Sequence, residues 1–215
     1  MDKEYDFSSY EELKKNQGYI TDEDFEPKVI DNVLLQENID FLYSNLNGDK
    51  EIMQEWGGRK SWGFGYNKSL VNRLNEIANS NFGPGLKLNE HFFIRYTLDY
   101  GFQSKLFPHW DSRDSQRITM DIQLNADEDW GVVVEGQNTV LSYNQALVFA
   151  GTQQVHWREN KLIRPGSVVD MLVCNFEWVP DRPFQEDHAK KMEERSMFLI
   201  EKTGIGNKNN PVSYE

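Results

Sequence analysis

The chain has 215 residues, 38% hydrophobic and 13% aromatic, with six Trp and thirteen Phe, a composition that buries a core and excludes an unfolded chain. Its net charge of −12 and pI of about 4.8 oppose phosphate backbones and anionic bilayers, so neither nucleic acid nor a membrane surface is an expected partner. Cys174 is the one cysteine and has no internal disulfide partner, no apolar run approaches bilayer length, and the acidic N-terminus MDKEYDFSSYEE is unlike a signal peptide, which together point to the cytoplasm.

Residues 1–30 read as a lead-in, with Ser8 and Glu11 as a capping box for a short helix over YEELKK. Leu35, Ile39, Leu42 and Leu46 recur at helical spacing over 33–47, and Gly48 follows as a stop. Residues 49–66 are rich in Gly and Trp without periodicity, as in a structured loop that shapes a pocket. A second helix is expected over 68–80, capped by Asn67, with Leu70, Leu74 and Ile77 on one face and a break at 82–85.

From residue 91 the pattern changes to strands. Phe92–Tyr100, Ile118–Leu124, Gly131–Val134, Thr139–Leu141, Ala146–Phe149 and Val168–Trp178 are short, β-branched or aromatic, and separated by turn residues. The acidic runs DSRDS and ADEDW (126–130) read as solvated turns; the second lacks the glycine and terminal glutamate of a calcium loop. Residues 184–202 return to helix, and a polar tail follows. The expected layout is one domain in three parts. An N-terminal helical and loop region (1–90) packs on a strand core (91–180), and a C-terminal helix and tail (181–215) follow. The fold class is mainly β with flanking helices: a double-stranded β-helix of jelly-roll or cupin-like form, with the end helices over the outer face of one sheet.

Two histidines and an aspartate carry the chemistry. His109-Trp110-Asp111 follows the β-rich stretch FFIRYTLDYGFQSKLF, and His156 follows ALVFA, far enough along for several strands to leave and return. Residues i and i+2 of a strand share a face, so His109 and Asp111 can grip one metal while Trp110 points away. Two imidazoles and one carboxylate hold one face of an octahedral Fe(II) and leave the other open. With 35 acidic residues in the chain, any histidine has an acid two places on roughly one time in six. The weight therefore rests on the strand context and on His156, not on the pair alone.

These residues resemble the 2-oxoglutarate/Fe(II)-dependent oxygenases, in particular their prolyl-4-hydroxylase-like branch. The resemblance runs from about Phe92 to Phe176. Arg95-Tyr96, Gly101 and His109-x-Asp111 resemble that branch's entry to its first metal strand. Ile118-Thr119 through Gln123-Leu124-Asn125 resembles the next strand, and Ala146–Phe149 leading to His156 the strand of the distal histidine. The resemblance implies His109, Asp111 and His156 as iron ligands, Tyr96 near the cosubstrate, and Fe(II), 2-oxoglutarate and O2 as cofactors, with ascorbate as a reductant. Succinate and CO2 are the implied co-products of attack on an aliphatic C–H bond. Halogenases of this class lack the carboxylate, so Asp111 implies hydroxylation.

Two departures stand out. The family's Pro and Gly before the distal-histidine strand are replaced by Ser142-Tyr143-Asn144-Gln145, and its basic residue on the last core strand is missing from Val168–Leu172. A guanidinium for the far carboxylate of 2-oxoglutarate must come from Arg158 or Arg164, with Arg95, Arg117 and Lys161 behind them. The missing base also keeps open a non-catalytic or 2-oxoglutarate-independent cupin-like metal-binding protein. The expected partner is a small molecule or a peptide, with residues 55–66 and 102–107 at the entrance.

Overall fold

The computed structural model describes residues 5–17, 25–46, 51–54, 58–101, 104–111, 114–159 and 163–205. The Gly48 stop, part of each expected entrance segment (55–57 and 102–103), Lys161 and the tail from 206 lie outside them.

Eleven strands form two facing antiparallel sheets among the described residues. In chain order these are β1 (Lys28–Ile30), β2 (Glu51–Gln54), β3 (Arg59–Gly63), β4 (Leu86–Tyr96), β5 (Leu106–His109), β6 (Arg117–Ala126), β7 (Val132–Val134), β8 (Gln137–Thr139), β9 (Ala146–Phe149), β10 (His156–Arg158) and β11 (Val169–Trp178). The larger sheet runs β1-β9-β6-β11-β4-β3-β2 and the smaller β5-β10-β7-β8. The helices are α1 (Ser8–Gln17), α2 (Gln36–Ser44), α3 (Lys68–Phe82) and α4 (His188–Thr203).

Strand alternation sorts the side chains into three clusters. On β6, Met120, Ile122 and Leu124 point outward to a core shared with Leu42 of α2 and Leu70, Leu74 and Ile77 of α3. The intervening Thr119, Asp121 and Gln123 point the other way, between the sheets, and all three are buried polar residues. There Ile94, Tyr96, Phe149 and Met171 of the larger sheet meet Trp130, Val132 and Val134. Outside the smaller sheet, Val133, Val155 and Trp157 pack against Tyr10 of α1 and Met192 and Leu199 of α4.

Several expectations are corrected. Residues 51–54 and 59–63 pair as a hairpin that continues onto β4, rather than forming an irregular loop. Strands this short show no clear period in sequence, and the pairing is supplied by a distant partner. The segment before residue 91 thus contributes β1, β2, β3 and half of β4, as well as helices. Helices cover both outer faces, not one. The α1 cap is the Asp6 carboxylate, which accepts from the Ser8 N–H at 2.9 Å, in place of a Ser8–Glu11 box. Strand β4 starts earlier than expected because β11 pairs along its full length. It ends at Tyr96, where the Thr97 side chain accepts from Asp99 N and turns the chain. Strand β8 lies two residues ahead of the expected Thr139–Leu141.

Helices α2 and α3 and strands β6, β9 and β11 fall where the periodicity puts them, and the Asn67 side chain accepts from Leu70 N at 3.0 Å as the α3 cap. Asn144, at φ 60°, answers the missing Pro and Gly before the distal-histidine strand. Asparagine tolerates the left-handed region, and its side chain here accepts from Leu34 N and donates to Leu34 O.

Phe93 is fully buried under α2, with its ring edge-on to Trp62 and Tyr43 at 5.7 and 5.5 Å. Phe93→Ala should cost about 3–5 kcal/mol. The expected readout is a lower denaturant midpoint at unchanged slope.

Candidate metal centre

The smaller sheet sets the two histidines side by side. His109, the last residue of β5, is the direct cross-strand partner of His156, the first of β10. Their ring centroids are 4.2 Å apart. Nδ1 of His109 lies 2.8 Å from the Phe107 carbonyl, and Nδ1 of His156 lies 3.0 Å from the Gln154 carbonyl. A carbonyl only accepts, so each Nδ1 carries the proton and each Nε2 presents a lone pair. Burial first, then the neighbouring His156, pushes the His109 pKa below the ordinary histidine range, which keeps that ring a neutral donor.

Asp111 lies just beyond the end of β5, so the expected strand pair is strand for His109 only. The main chain still brings it in: Asp111 N donates to Gly151 O at 2.9 Å. Its Oδ1 lies 3.7 Å from His156 Nε2, and its Oδ2 accepts from the Thr119 hydroxyl at 2.8 Å. Thr119 also lies 3.2 Å from Asn175 Oδ1, and Asn175 Nδ2 donates to Glu90 Oε1 at 3.0 Å. Ligand atoms of His109, Asp111 and His156 all lie within 4.8 Å of one another. Two neutral imidazole lone pairs and one oriented carboxylate are a donor set that fits a divalent metal with its remaining positions open. Trp110 points away, into the cluster under α4, against His188 at 5.4 Å.

Gly151 was not singled out from sequence and proves necessary. A Cβ there would sit 2.3 Å from Asp111 Oδ2 and 2.1 Å from Thr119 Oγ1. Thr119 was noted only as part of a strand. Neither carries a signal in a single sequence, since both act through a residue far away in the chain.

Deeper between the sheets stand Tyr96 and Arg158. Arg158 is 1% exposed and donates to the Trp130 carbonyl and the Met171 sulfur. Its guanidinium stacks near Trp130 at 4.7 Å and Tyr96 at 5.5 Å. Arg164 is not brought to the site: its side chain is 72% exposed and pairs with Glu128 at 3.2 Å. It lies in the loop before β11, which the ADEDW turn fastens through Asp127 and Glu128. Arg95 faces outward in a two-pronged pair with Asp170, and Arg117 pairs with Glu177.

Two more charged side chains face inward and were missed. Arg59 of β3 is the cross-strand partner of Tyr96 and donates to its hydroxyl at 2.7 Å. Asp121 of β6 is only 9% exposed, and no hydrogen bond joins it to a described residue. Burial pushes its pKa up to about 6, opposed by Arg158, His156 and Arg59 and reinforced by Asp111. Arg59 sat in a stretch read as loop, and Asp121 in a strand whose inward face was unknown.

No protein-family profile and no curated protein matches this sequence. Solved structures share its fold at low identity. An oxidoreductase of the 2OG-Fe(II) oxygenase family from Burkholderia pseudomallei is 15% identical with a TM-score of 0.53, over 82% of this chain and 93% of that one. HygX from Streptomyces hygroscopicus, with nickel and 2-oxoglutarate bound, is 10% identical at 0.52, over 71% and 82%. A Pseudomonas putida prolyl-4-hydroxylase is 14% identical at 0.52, over 71% and 92%. The two facing sheets are thus the double-stranded β-helix. Among the described residues no helix is long and apolar enough to cross a membrane.

Gly151→Ala should displace Asp111 and lower Co(II) affinity ten- to a hundredfold, read from the cobalt absorption during titration. Asp121 gives a stability test. Its folded pKa of about 6 lies above the unfolded value, so the folded state holds the extra proton. The penalty is absent below about pH 4, grows as pH rises through 6, and reaches roughly 2–3 kcal/mol. Metal-free Asp121→Asn should therefore be more stable than the parent at pH 7.5, and the gain should vanish near pH 4, as read by urea unfolding at both.

Proposed function

We propose that this chain is an Fe(II)/2-oxoglutarate-dependent dioxygenase that hydroxylates an aliphatic C–H bond of a peptide or small amino-acid-like substrate. The observation that carries the reading is the tautomer-fixed His109–Asp111–His156 cluster with a fully buried arginine two residues along the same strand. His109, Asp111 and His156 hold the metal. Arg158 receives the far carboxylate of 2-oxoglutarate, which a planar guanidinium binds through two hydrogen bonds. Bound Fe(II), with 2-oxoglutarate and O2, supplies the oxidising power for hydroxylation and leaves succinate and CO2, with ascorbate as an optional reductant.

The chain's own work is placement. The Phe107 and Gln154 carbonyls hold both imidazoles in the donor tautomer. Thr119 orients Asp111. Trp130 and Tyr96 wall the Arg158 guanidinium from water, which strengthens its grip on an anion. Asp111 occupies the position a halide would need, which favours hydroxylation over halogenation. The charge of −12 opposes a nucleic-acid substrate.

One observation favours a second reading. Asp121 puts a carboxylate beside Arg158, where an anionic cosubstrate would go. Were Asp121 to neutralise Arg158 there, the chain would be a metal-binding cupin-like protein that uses no 2-oxoglutarate.

The test is anaerobic calorimetry of 2-oxoglutarate with the Co(II)-loaded protein, followed by succinate release and product mass with Fe(II) and O2. The expected result is binding that Arg158→Ala weakens at least a hundredfold, from a loss of about 3–5 kcal/mol, and that Arg164→Ala leaves intact. His109→Ala and His156→Ala should abolish metal binding, and the product should gain 16 Da (one oxygen). Undiminished 2-oxoglutarate affinity in Arg158→Ala overturns the seat. Absence of both 2-oxoglutarate binding and succinate leaves the cupin-like reading.

A further inference from the structure

Each histidine of the cluster is held at Nδ1 by the main-chain carbonyl two residues before it, but the two peptides that supply those carbonyls differ. For His109 it is the Phe107–Pro108 peptide, which has no N–H. For His156 it is the Gln154–Val155 peptide, whose N–H is taken: Val155 N donates to Glu135 Oε1 at 2.6 Å. A trans peptide is planar, with its N–H and C=O pointing in opposite directions. Carboxylate, peptide and imidazole therefore form one chain, the N–H bonded to Glu135 and the C=O to the Nδ1 proton of His156. Glu135 N also donates to Val155 O at 2.8 Å, so one residue holds both main-chain polar groups of Val155.

Glu135 stands where other residues suit the backbone better. Val134 and Gln137 pair across a two-residue turn, and both turn residues, Glu135 and Gly136, have positive φ, 52° and 94°. Such turns favour Asn-Gly or Asp-Gly. Glutamate gains nothing from a left-handed backbone. What it has over asparagine is reach. Its carboxylate is itself pinned from α1: the fully buried Tyr10 donates its hydroxyl to the same Oε1 at 3.0 Å, and Lys14 Nζ lies 3.0 Å from Oε2. Hydrogen bonds in series polarise one another, and a charged acceptor at one end strengthens the rest. The Glu135 charge on the Val155 N–H thus makes the Gln154 carbonyl a stronger acceptor for the His156 Nδ1 proton, and the Nε2 lone pair a stronger donor.

We propose, resting on the assignment of His109, Asp111 and His156 as metal ligands, that Glu135 is a positioning residue for His156. Through the Gln154–Val155 peptide it fixes the ring and raises the donor strength of Nε2, a support that the proline peptide denies to His109. Tyr10 and Lys14 hold the carboxylate from the outer side of the smaller sheet, so helix α1 contributes to metal affinity without lining the site.

The experiment compares the parent protein with Glu135→Asn and Glu135→Gln. Asparagine suits the turn but is one methylene too short to reach Val155 N. Glutamine keeps an acceptor oxygen at the same reach and removes the charge. Co(II) titration reads the affinity, and proton NMR of the Zn(II)-loaded protein reads the Nδ1–H resonances of His109 and His156 separately. The expected result is Co(II) affinity at least tenfold lower in Glu135→Asn and within about threefold of the parent in Glu135→Gln. The His156 Nδ1–H resonance should move upfield in both variants while that of His109 stays. The inference is overturned if Glu135→Asn binds Co(II) as the parent does, if Glu135→Gln binds as poorly as Glu135→Asn, or if the His156 resonance does not move. It is also overturned if both histidine resonances move by similar amounts, the sign of a loosened sheet rather than of a specific support. A parent protein that binds no Co(II) sinks the metal assignment itself. Parent binding that neither variant alters sinks this inference alone.

Discussion

A cross-strand pair of histidines is the constraint on which the rest of this molecule depends. His109 opposite His156 puts two rings 4.2 Å apart in a partly enclosed space, where two imidazolium charges would repel. Neutral rings with inward lone pairs are stable there only if each Nδ1 proton has a fixed acceptor, and the Phe107 and Gln154 carbonyls supply them. The main chain on both sides of each histidine must therefore hold still. Val155 N, next to His156, donates to the Glu135 carboxylate at 2.6 Å, and the same carboxylate accepts from the Tyr10 hydroxyl at 3.0 Å. Helix α1 is thereby tied to the strand that carries the distal histidine.

That tie explains why the smaller sheet needs helices on its outside. Its strands are only three or four residues long and give few ladder bonds. Hydrophobic burial has to supply the rigidity. Trp157, fully buried, points outward between the inward His156 and Arg158 and packs under α1 and α4. Alternation thus lets one three-residue strand anchor the sheet with its middle residue and serve the site with the other two.

Much of this was legible in sequence, for reasons that can be located. The helices α2 and α3 showed because Leu42, Leu70, Leu74 and Ile77 repeat at helical spacing on a face that meets the sheet. The triad showed because His109 and Asp111 are adjacent and His156 follows a strand. Of the two remaining histidines, His188 stacks on Phe184 at 3.5 Å and His91 on Phe64 at 6.3 Å. Both are aromatic packing residues, and a histidine's identity alone does not separate the two uses. Residues that depend on distant partners were hidden: Gly151 matters only because Asp111 arrives from elsewhere, and β3 only because β4 lies beside it. Arg164 stood beside Arg158 as a candidate in sequence, but Glu128 holds it on the outside.

The missing base on the last strand has a physical resolution in the parity of β11. Asp170 faces outward, where Arg95 grips both its oxygens at 2.7 and 2.8 Å and the Tyr43 hydroxyl donates at 3.0 Å. The register shifts between Asp170 and Met171, and Met171 packs into the space between the sheets. Its sulfur is soft and uncharged, so it can lie against a guanidinium without competing for charge. Arg158 fills that space from the opposite wall. The buried cation of the smaller sheet is on the same short strand as His156, so one rigid element holds Arg158 and a member of the candidate metal cluster. The larger sheet, without that base, carries Asp121 on its inward face instead, beside Thr119 that orients Asp111.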